Sequence, residues 1–331
     1  MALCCCALVV RGQDRFVVLE YNVENLFDCR HDSLKKDMEF LPESIRGWNF
    51  FRFNEKINKL AKVIYAAGEE YVPDLVGLCE VENDFCLRSL VDFSPLKEVG
   101  YRYVMTDSPD ERGIDVALMY QPFRFRLIES ECIRVDYPEA TRPTRDILHV
   151  AGRTLAGGII DVFVCHMPSR MGGKRASEPY RLFAARVLRK RIDEILSTRS
   201  KPQIIVMGDF NDGPEDRALA EVLQAGRCDT DAVEYRKLYN MMYYEAVGSY
   251  KYKNRWETID HMIVNGQLLD KGNALHTSKD DVYVLRLPFL LEEDEKYGGM
   301  KPFRTYNGMR YQNGYSDHLP VKMVLKTARE R

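Results

Sequence analysis

The sequence predicts an α/β protein folded as one unit from residue 13 to residue 331. Three observations carry that prediction. Short apolar runs recur along the chain and stop abruptly at polar residues, the pattern of strands buried on both faces. Two longer segments, Asn54 to Ala67 and Pro179 to Leu196, repeat their apolar residues at helical spacing. No internal repeat or low-complexity linker divides the 331 residues, a length that one large α/β fold accommodates.

A content of 45% hydrophobic and 30% charged residues is that of an ordinary globular chain and excludes a disordered or fibrous one. The net charge of −2 leaves no overall basic footprint for nucleic acid, although 48 Lys and Arg allow a local basic groove. Ala2 to Val10 is an uncharged apolar run containing Cys4, Cys5 and Cys6, too short to span a bilayer as a helix. It matches the hydrophobic core of a secretory signal. Residues 1–12 are therefore read as a signal remnant and the protein as exported, to the periplasm or beyond. A buried first strand in a cytoplasmic protein is the alternative. The cysteines at positions 29, 79, 86, 132, 165 and 228 form no CxxC pair and no zinc-ligand spacing.

In chain order, Phe16 to Phe27 opens as a strand and runs into Asn22, whose amide needs a partner at the end of a buried strand. Residues 28–50 are charged and irregular and read as a surface loop. The first helix follows, with Gly68 placed to end it. Asp74 to Cys79 is a second buried strand, and it stops at Glu80, a carboxylate costly to bury unless paired or metal-bound. Strands at Tyr101–Met105 and Ile114–Tyr120 come next, and the alternation of Phe123, Phe125 and Leu127 suggests an antiparallel neighbour. Arg142 and Arg145 stand at the mouth of a further strand. Ile159 to Cys165 ends in His166, followed by Arg170 and a basic loop through Lys174 and Arg175.

The four apolar residues Ile204 to Met207 read as a fully buried strand, and Gly208 lets the backbone turn sharply at its end. Asp209 and Asn211 then point the same way if the strand continues. Taken alone, these two residues suit a simple turn equally well. Trp256 to Val264 forms a strand carrying Asp260, and the polar stretch 270–313 reads as functional loops. Asp317 and His318 precede the last strand, Val321 to Leu325.

Acids, amides and histidines thus gather at strand ends: Asn22, Glu80, His166, Asp209 with Asn211, Asp260, and Asp317 with His318. Hard oxygen donors without cysteine suit Mg²⁺, Mn²⁺ or Ca²⁺ rather than zinc. The segments Tyr21-Asn22-Val23-Glu24-Asn25-Leu26-Phe27, Leu78-Cys79-Glu80, His166, Gly208-Asp209-Phe210-Asn211, Ile259-Asp260-His261 and Ser316-Asp317-His318-Leu319-Pro320 together resemble the endonuclease/exonuclease/phosphatase superfamily.

The resemblance implies a four-layered α/β sandwich, two packed mixed β-sheets flanked by helices, and metal-dependent hydrolysis of a phosphoester. It implies Glu80 as principal metal ligand, aided by Asn22 and Asp317. Asp209 would orient or deprotonate the attacking water, with Asn211 beside it on a phosphate oxygen. His318, oriented by Asp260, would contact the scissile phosphate, and His166 would donate to a non-bridging oxygen. Arg142, Arg145 and Arg170, with Lys174, are candidate phosphate contacts. A nuclease-like phosphodiesterase, with nucleic acid as the candidate partner, is the first reading. A lipid- or sugar-phosphate phosphatase, or a sphingomyelinase-like enzyme, is the second. A catalytically silent binding module is the contrasting class, and the filled catalytic positions argue against it.

Overall fold

The computed structural model describes residues 15–138, 143–229 and 233–327. Arg142 and the segment 1–12 lie outside the described residues. Two seven-stranded mixed sheets pack face to face. In the first, β1 (Arg15–Leu26) runs parallel to β2 (Leu75–Val81) and antiparallel to the closing strand Val321–Thr327. Beyond β2, β3 (Arg102–Met105) forms the edge, and β4 (Asp115–Tyr120) lies between them. In the second, β5 (Phe125–Ile133), β6 (Ile147–Thr154) and β7 (Ile159–His166) form an antiparallel meander. The strand β8 (Ile204–Asp209) then pairs parallel to β7 and antiparallel to Asp260–Asn265.

The period of two in these strands builds the layers. From β7 and β8, Ile160, Val162, Val164, Ile205 and Met207 face the core between the sheets. Their alternates Phe163, Cys165, Ile204 and Val206 join Ala184, Leu188 and Ile192 of α3 (Lys174–Thr198) on the outer side. The helix α1 (Phe50–Gly68) and then α2 (Asp84–Asp92) pack through Ile57, Leu60, Ile64 and Leu87 into the core of the first sheet. The result is the expected α/β sandwich, helices outside and two mixed sheets within. Cys79 and Cys165 are both wholly buried packing residues.

Caps explain where the helices extend past their sequence periodicity. α1 begins at Phe50 because Asn49 Oδ1 accepts from the Arg52 amide at 3.1 Å. Its last residue is Gly68, but the left-handed residue is Glu69, at φ 63°. α3 begins before Pro179, so Lys174 and Arg175 belong to the helix and not to a loop. Ser177 Oγ donates to the Gly173 carbonyl at 2.8 Å and Arg181 Nη2 to that of Lys174 at 2.9 Å. These bonds brace the turn from which Pro179 removes a donor. No helix among the described residues is long and apolar enough to cross a membrane.

The two parallel pairs β1/β2 and β7/β8 place polar residues at one end of the sandwich. Asn22 lies opposite Cys79, and His166 opposite Asp209. Gly208 has φ 138°, and a Cβ there would lie 1.8 Å from the Cys165 carbonyl oxygen of the neighbouring strand. Only glycine fits. Gly208→Ala is therefore expected to cost about 3 kcal/mol of stability, read from urea denaturation; a loss below about 0.5 kcal/mol would show that the two strands separate freely there.

Candidate active site

The strand ends converge on one carboxylate oxygen. Asp209 closes β8, and its Oδ2 accepts from Asn22 Nδ2 of the opposite sheet at 3.1 Å. The same atom lies 3.6 Å from His166 Nε2 and 3.9 Å from His318 Nε2. Its second oxygen accepts from the Asn211 amide at 2.8 Å. Burial pushes the Asp209 pKa up to about 7, with the Asp260 carboxylate adding to the rise and His318 opposing it.

Asp260 begins its strand directly opposite Asp209, and its Oδ2 meets His318 Nδ1 at 2.7 Å. Ser249 donates its hydroxyl to the same Asp260 oxygen, while Asp260 Oδ1 has no partner. Burial opposes charge on His318, but Asp260, Asp209 and Asp317 overcome it and hold the imidazole pKa well above its usual value. With Nδ1 committed to Asp260, Nε2 is the nitrogen turned toward Asp209. The Tyr250 ring packs against this imidazole at 4.9 Å.

His166 behaves in the opposite way. Burial, then Arg145 and Arg112 nearby, holds its pKa well below the usual range, so its ring is neutral. Its Nδ1 has no partner, and its Nε2 stands 3.9 Å from Glu80 Oε1. Two histidines facing one carboxylate, one charged and one neutral, divide donor roles by environment alone.

Glu80 sits where the ladder between β2 and β4 slips, with a left-handed φ of 69°. Its Oε2 accepts from the Asn25 amide at 2.8 Å, while Oε1 has only the long contact to His166 and one of 3.5 Å to Arg112. Asn22 Oδ1 accepts from the Glu24 amide at 3.1 Å, which leaves a lone pair free. Asp317 pairs with Arg304 at 2.6 Å. Its pKa is lowered, because Arg304, His318 and Lys56 outweigh its burial. The donor chemistry of Glu80, Asn22 and Asp317 fits a hard divalent cation, since each offers oxygen and Glu80 Oε1 is incompletely paired. Among the described residues, the set of acids and histidines that distance alone brings together as possible metal ligands is Asp209, Asp260 and His318, whose ligand atoms lie within 4.8 Å of one another. The hydrogen bond between His318 Nδ1 and Asp260 Oδ2 already engages two of these three side chains, so that set reads better as an acid–base array.

Asn211 follows Asp209 in the left-handed conformation, φ 53°, and its Nδ2 donates to the Met167 carbonyl at 3.2 Å. Arg145 is buried rather than displayed. It donates to the same Met167 carbonyl at 2.7 Å and pairs with Asp110 at 3.2 Å. Arg170 is held by the Asn211 carbonyl at 2.6 Å and by Glu257. Lys174 pairs with Asp216 at 2.6 Å.

Several neighbours escaped the sequence. Arg112 bonds Asn25 Oδ1 at 2.6 Å, and Arg304 and Ser249 come from loops with no periodicity to flag them. Lys56 left a signal: it lies on the buried stripe of α1 between Phe53 and Leu60, where an unpaired lysine is rare. Its ammonium donates to Thr305 Oγ1 and the Tyr315 carbonyl, and burial lowers its pKa to about 8. Glu24 accepts from the Thr305 amide at 2.6 Å, and burial followed by Asp317 raises it to about 7.

Solved structures with the same architecture include an endonuclease/exonuclease/phosphatase family protein from Bacteroides thetaiotaomicron, at 17% identity and TM-score 0.58, covering 94% of this chain and 97% of that one. The mannosyl-6-phosphatase Bt3783 of B. thetaiotaomicron VPI-5482 matches at 18% identity and TM-score 0.57, covering 94% and 99% of the two chains. D. rerio TDP2, in complex with a single-strand DNA product, matches at 14% identity and TM-score 0.58, covering 95% and 100%. At these identities the likeness is one of fold. Among curated proteins none matches. The sequence profile of the Endonuclease/Exonuclease/phosphatase family matches residues 17–327, and the chain belongs to that family.

Proposed function

We propose that the protein is a divalent-metal-dependent phosphoesterase, a phosphodiesterase of nuclease type, in which Asp209 activates water. The observation that supports this reading best is the convergence of Asn22, His166 and His318 on Asp209 Oδ2, at 3.1, 3.6 and 3.9 Å. One titratable acceptor surrounded by fixed donors is what hydrolysis at phosphorus requires: a proton leaves the water while negative charge grows on the phosphate oxygens.

Glu80, with Asn22 and Asp317, would hold the cation, which when bound supplies Lewis-acid stabilisation of that charge. Mg²⁺, Mn²⁺ and Ca²⁺ all suit these oxygen donors. Asp209, ionised, takes the water proton through Oδ2, and the amides of Asn22 and Asn211 keep its carboxylate oriented. His318, charged through Asp260, presents Nε2–H to a phosphate oxygen. Neutral His166 presents Nε2–H to another. Asn211 spends one amide hydrogen on Met167 and keeps the second for the phosphate. A phosphatase acting on a sugar phosphate is the second reading, favoured by the structural likeness to the mannosyl-6-phosphatase. Export from the cytoplasm, read from residues 1–12, would place either activity among scavenged phosphoesters.

Hydrolysis of bis-p-nitrophenyl phosphate with Mg²⁺ tests the reading. EDTA should abolish it, and His318→Ala or Asp209→Asn should lower kcat by about 10²- to 10⁴-fold. Unchanged turnover in either variant, or none with any divalent metal, sinks the mechanism.

The pH profile follows from Asp209. Its folded pKa is raised to about 7, so the active, ionised form accumulates only as pH rises. The rate should climb through pH 7 and level off above it, and a bound cation should move the midpoint downward. A rate falling over the same interval would assign the proton acceptor elsewhere.

The third outcome concerns His318 alone. In Asp260→Asn, its imidazole pKa, followed by NMR, should drop by about one unit or more because the adjacent carboxylate that raises it is gone. An unmoved pKa would show that the two side chains do not act as a pair.

A further inference from the structure

Beside the catalytic carboxylates lies a cavity of about 410 Å³ that the mechanism leaves unused. Two of its walls belong to the site. Arg112 lines it while bonding Asn25 and reaching toward Glu80, and Arg145 lines it while sharing the Met167 carbonyl with Asn211. A group esterified to a phosphate held at Asp209 therefore has this cavity within reach.

The third wall is aromatic. Tyr137 meets Tyr180 at 4.8 Å and Phe183 at 5.1 Å, the second nearly perpendicular at 76°. Tyr180 remains 39% exposed, a large ring face left open beside a polar centre. Such faces stack flat rings. The volume lies at the small end of ligand pockets, room for one ring-bearing group and not for a duplex.

The polar groups narrow the ligand further. Both acids on the wall are already paired, Asp110 with Arg145 and Glu111 with Lys36. Among the described residues of the wall, a sugar's hydroxyl donors would meet only carboxylates already held in ion pairs.

Resting on the phosphoesterase reading above, we infer that this cavity holds the nucleobase of a nucleotide ester whose phosphate lies at Asp209. The base stacks on the Tyr137–Tyr180–Phe183 wall. The substrate class is then a single-stranded or mononucleotide ester, in preference to a sugar or lipid phosphate.

Calorimetric titration with adenosine and thymidine 5′-monophosphates, ribose 5-phosphate and mannose 6-phosphate tests this without turnover. Both nucleotides should bind at least tenfold more tightly than either sugar phosphate. Tyr180→Ala should weaken nucleotide binding by about five- to hundredfold, the range of base–aromatic stacking, and leave ribose 5-phosphate unchanged. Tyr180→Phe should keep the preference, which separates lost stacking from lost folding. Equal binding of nucleotide and sugar phosphates, preference for mannose 6-phosphate, a uniform loss for all ligands in Tyr180→Ala, or no binding of nucleotides overturns the inference. Nucleotide-selective binding without hydrolysis of bis-p-nitrophenyl phosphate would sink the catalytic reading and leave the cavity assignment standing; hydrolysis without base preference would do the reverse.

Discussion

The hydrogen bond from Asn22 to Asp209 joins the two sheets at the one edge where both present polar residues. Most of the core between the sheets is apolar, and such contacts tolerate sliding because dispersion and burial have no direction. A 3.1 Å amide–carboxylate bond is directional, and breaking it would strand a buried carboxylate. Just beneath it, Cys79 Sγ donates to the Cys165 carbonyl at 3.3 Å, a second link between the same pairs of parallel strands. The Ser316 hydroxyl bonds the Asn22 carbonyl at 2.6 Å and so ties the loop of Asp317 and His318 to the same point. The register between sheets and the geometry around Asp209 are therefore one constraint.

Holding polar groups at strand ends deforms the backbone there. Among the described residues eight non-glycine residues have positive φ, and four of them, Glu24, Asn25, Glu80 and Asn211, surround this edge. Each such residue costs of order 1 kcal/mol or more and persists only where its neighbours fix it. The fixing bonds are visible: Asn25 amide to Glu80, Asn211 amide to Asp209, and the Thr305 and Tyr306 amides to Glu24. The strain turns side chains out of the sheet planes and into one volume. Stability is spent where charge has to be arranged.

Much of this was legible in the sequence because it rests on contrast along the chain. A buried apolar run that stops at Asn22, Glu80, His166 or Asp209 marks where a strand ends or its pairing slips, and such places in parallel pairs share an edge. The sandwich and the convergence of those residues follow. What the sequence could not supply is contact between distant loops. Arg304 and Ser249 complete the surroundings of Asp317 and Asp260 from segments without pattern. Arg145 read as a surface cation because arginine usually is one, yet a partner 35 residues away in Asp110 permits its burial. The helix carrying Pro179 starts earlier than its proline suggests because Arg181 and Ser177 act from within the fold.

The contrast between the two histidines shows why position alone would not assign their roles. His166 and His318 both approach Asp209 Oδ2 through Nε2, within 0.3 Å of the same distance, 3.6 against 3.9 Å. Their environments separate them. His318 leans on Asp260 through Nδ1 and gains charge, whereas His166 has no partner at Nδ1 and two arginines nearby, and stays neutral. The protonation of this edge thus depends on what lies around the two imidazoles: on Asp260 for His318, and on burial with Arg145 and Arg112 for His166.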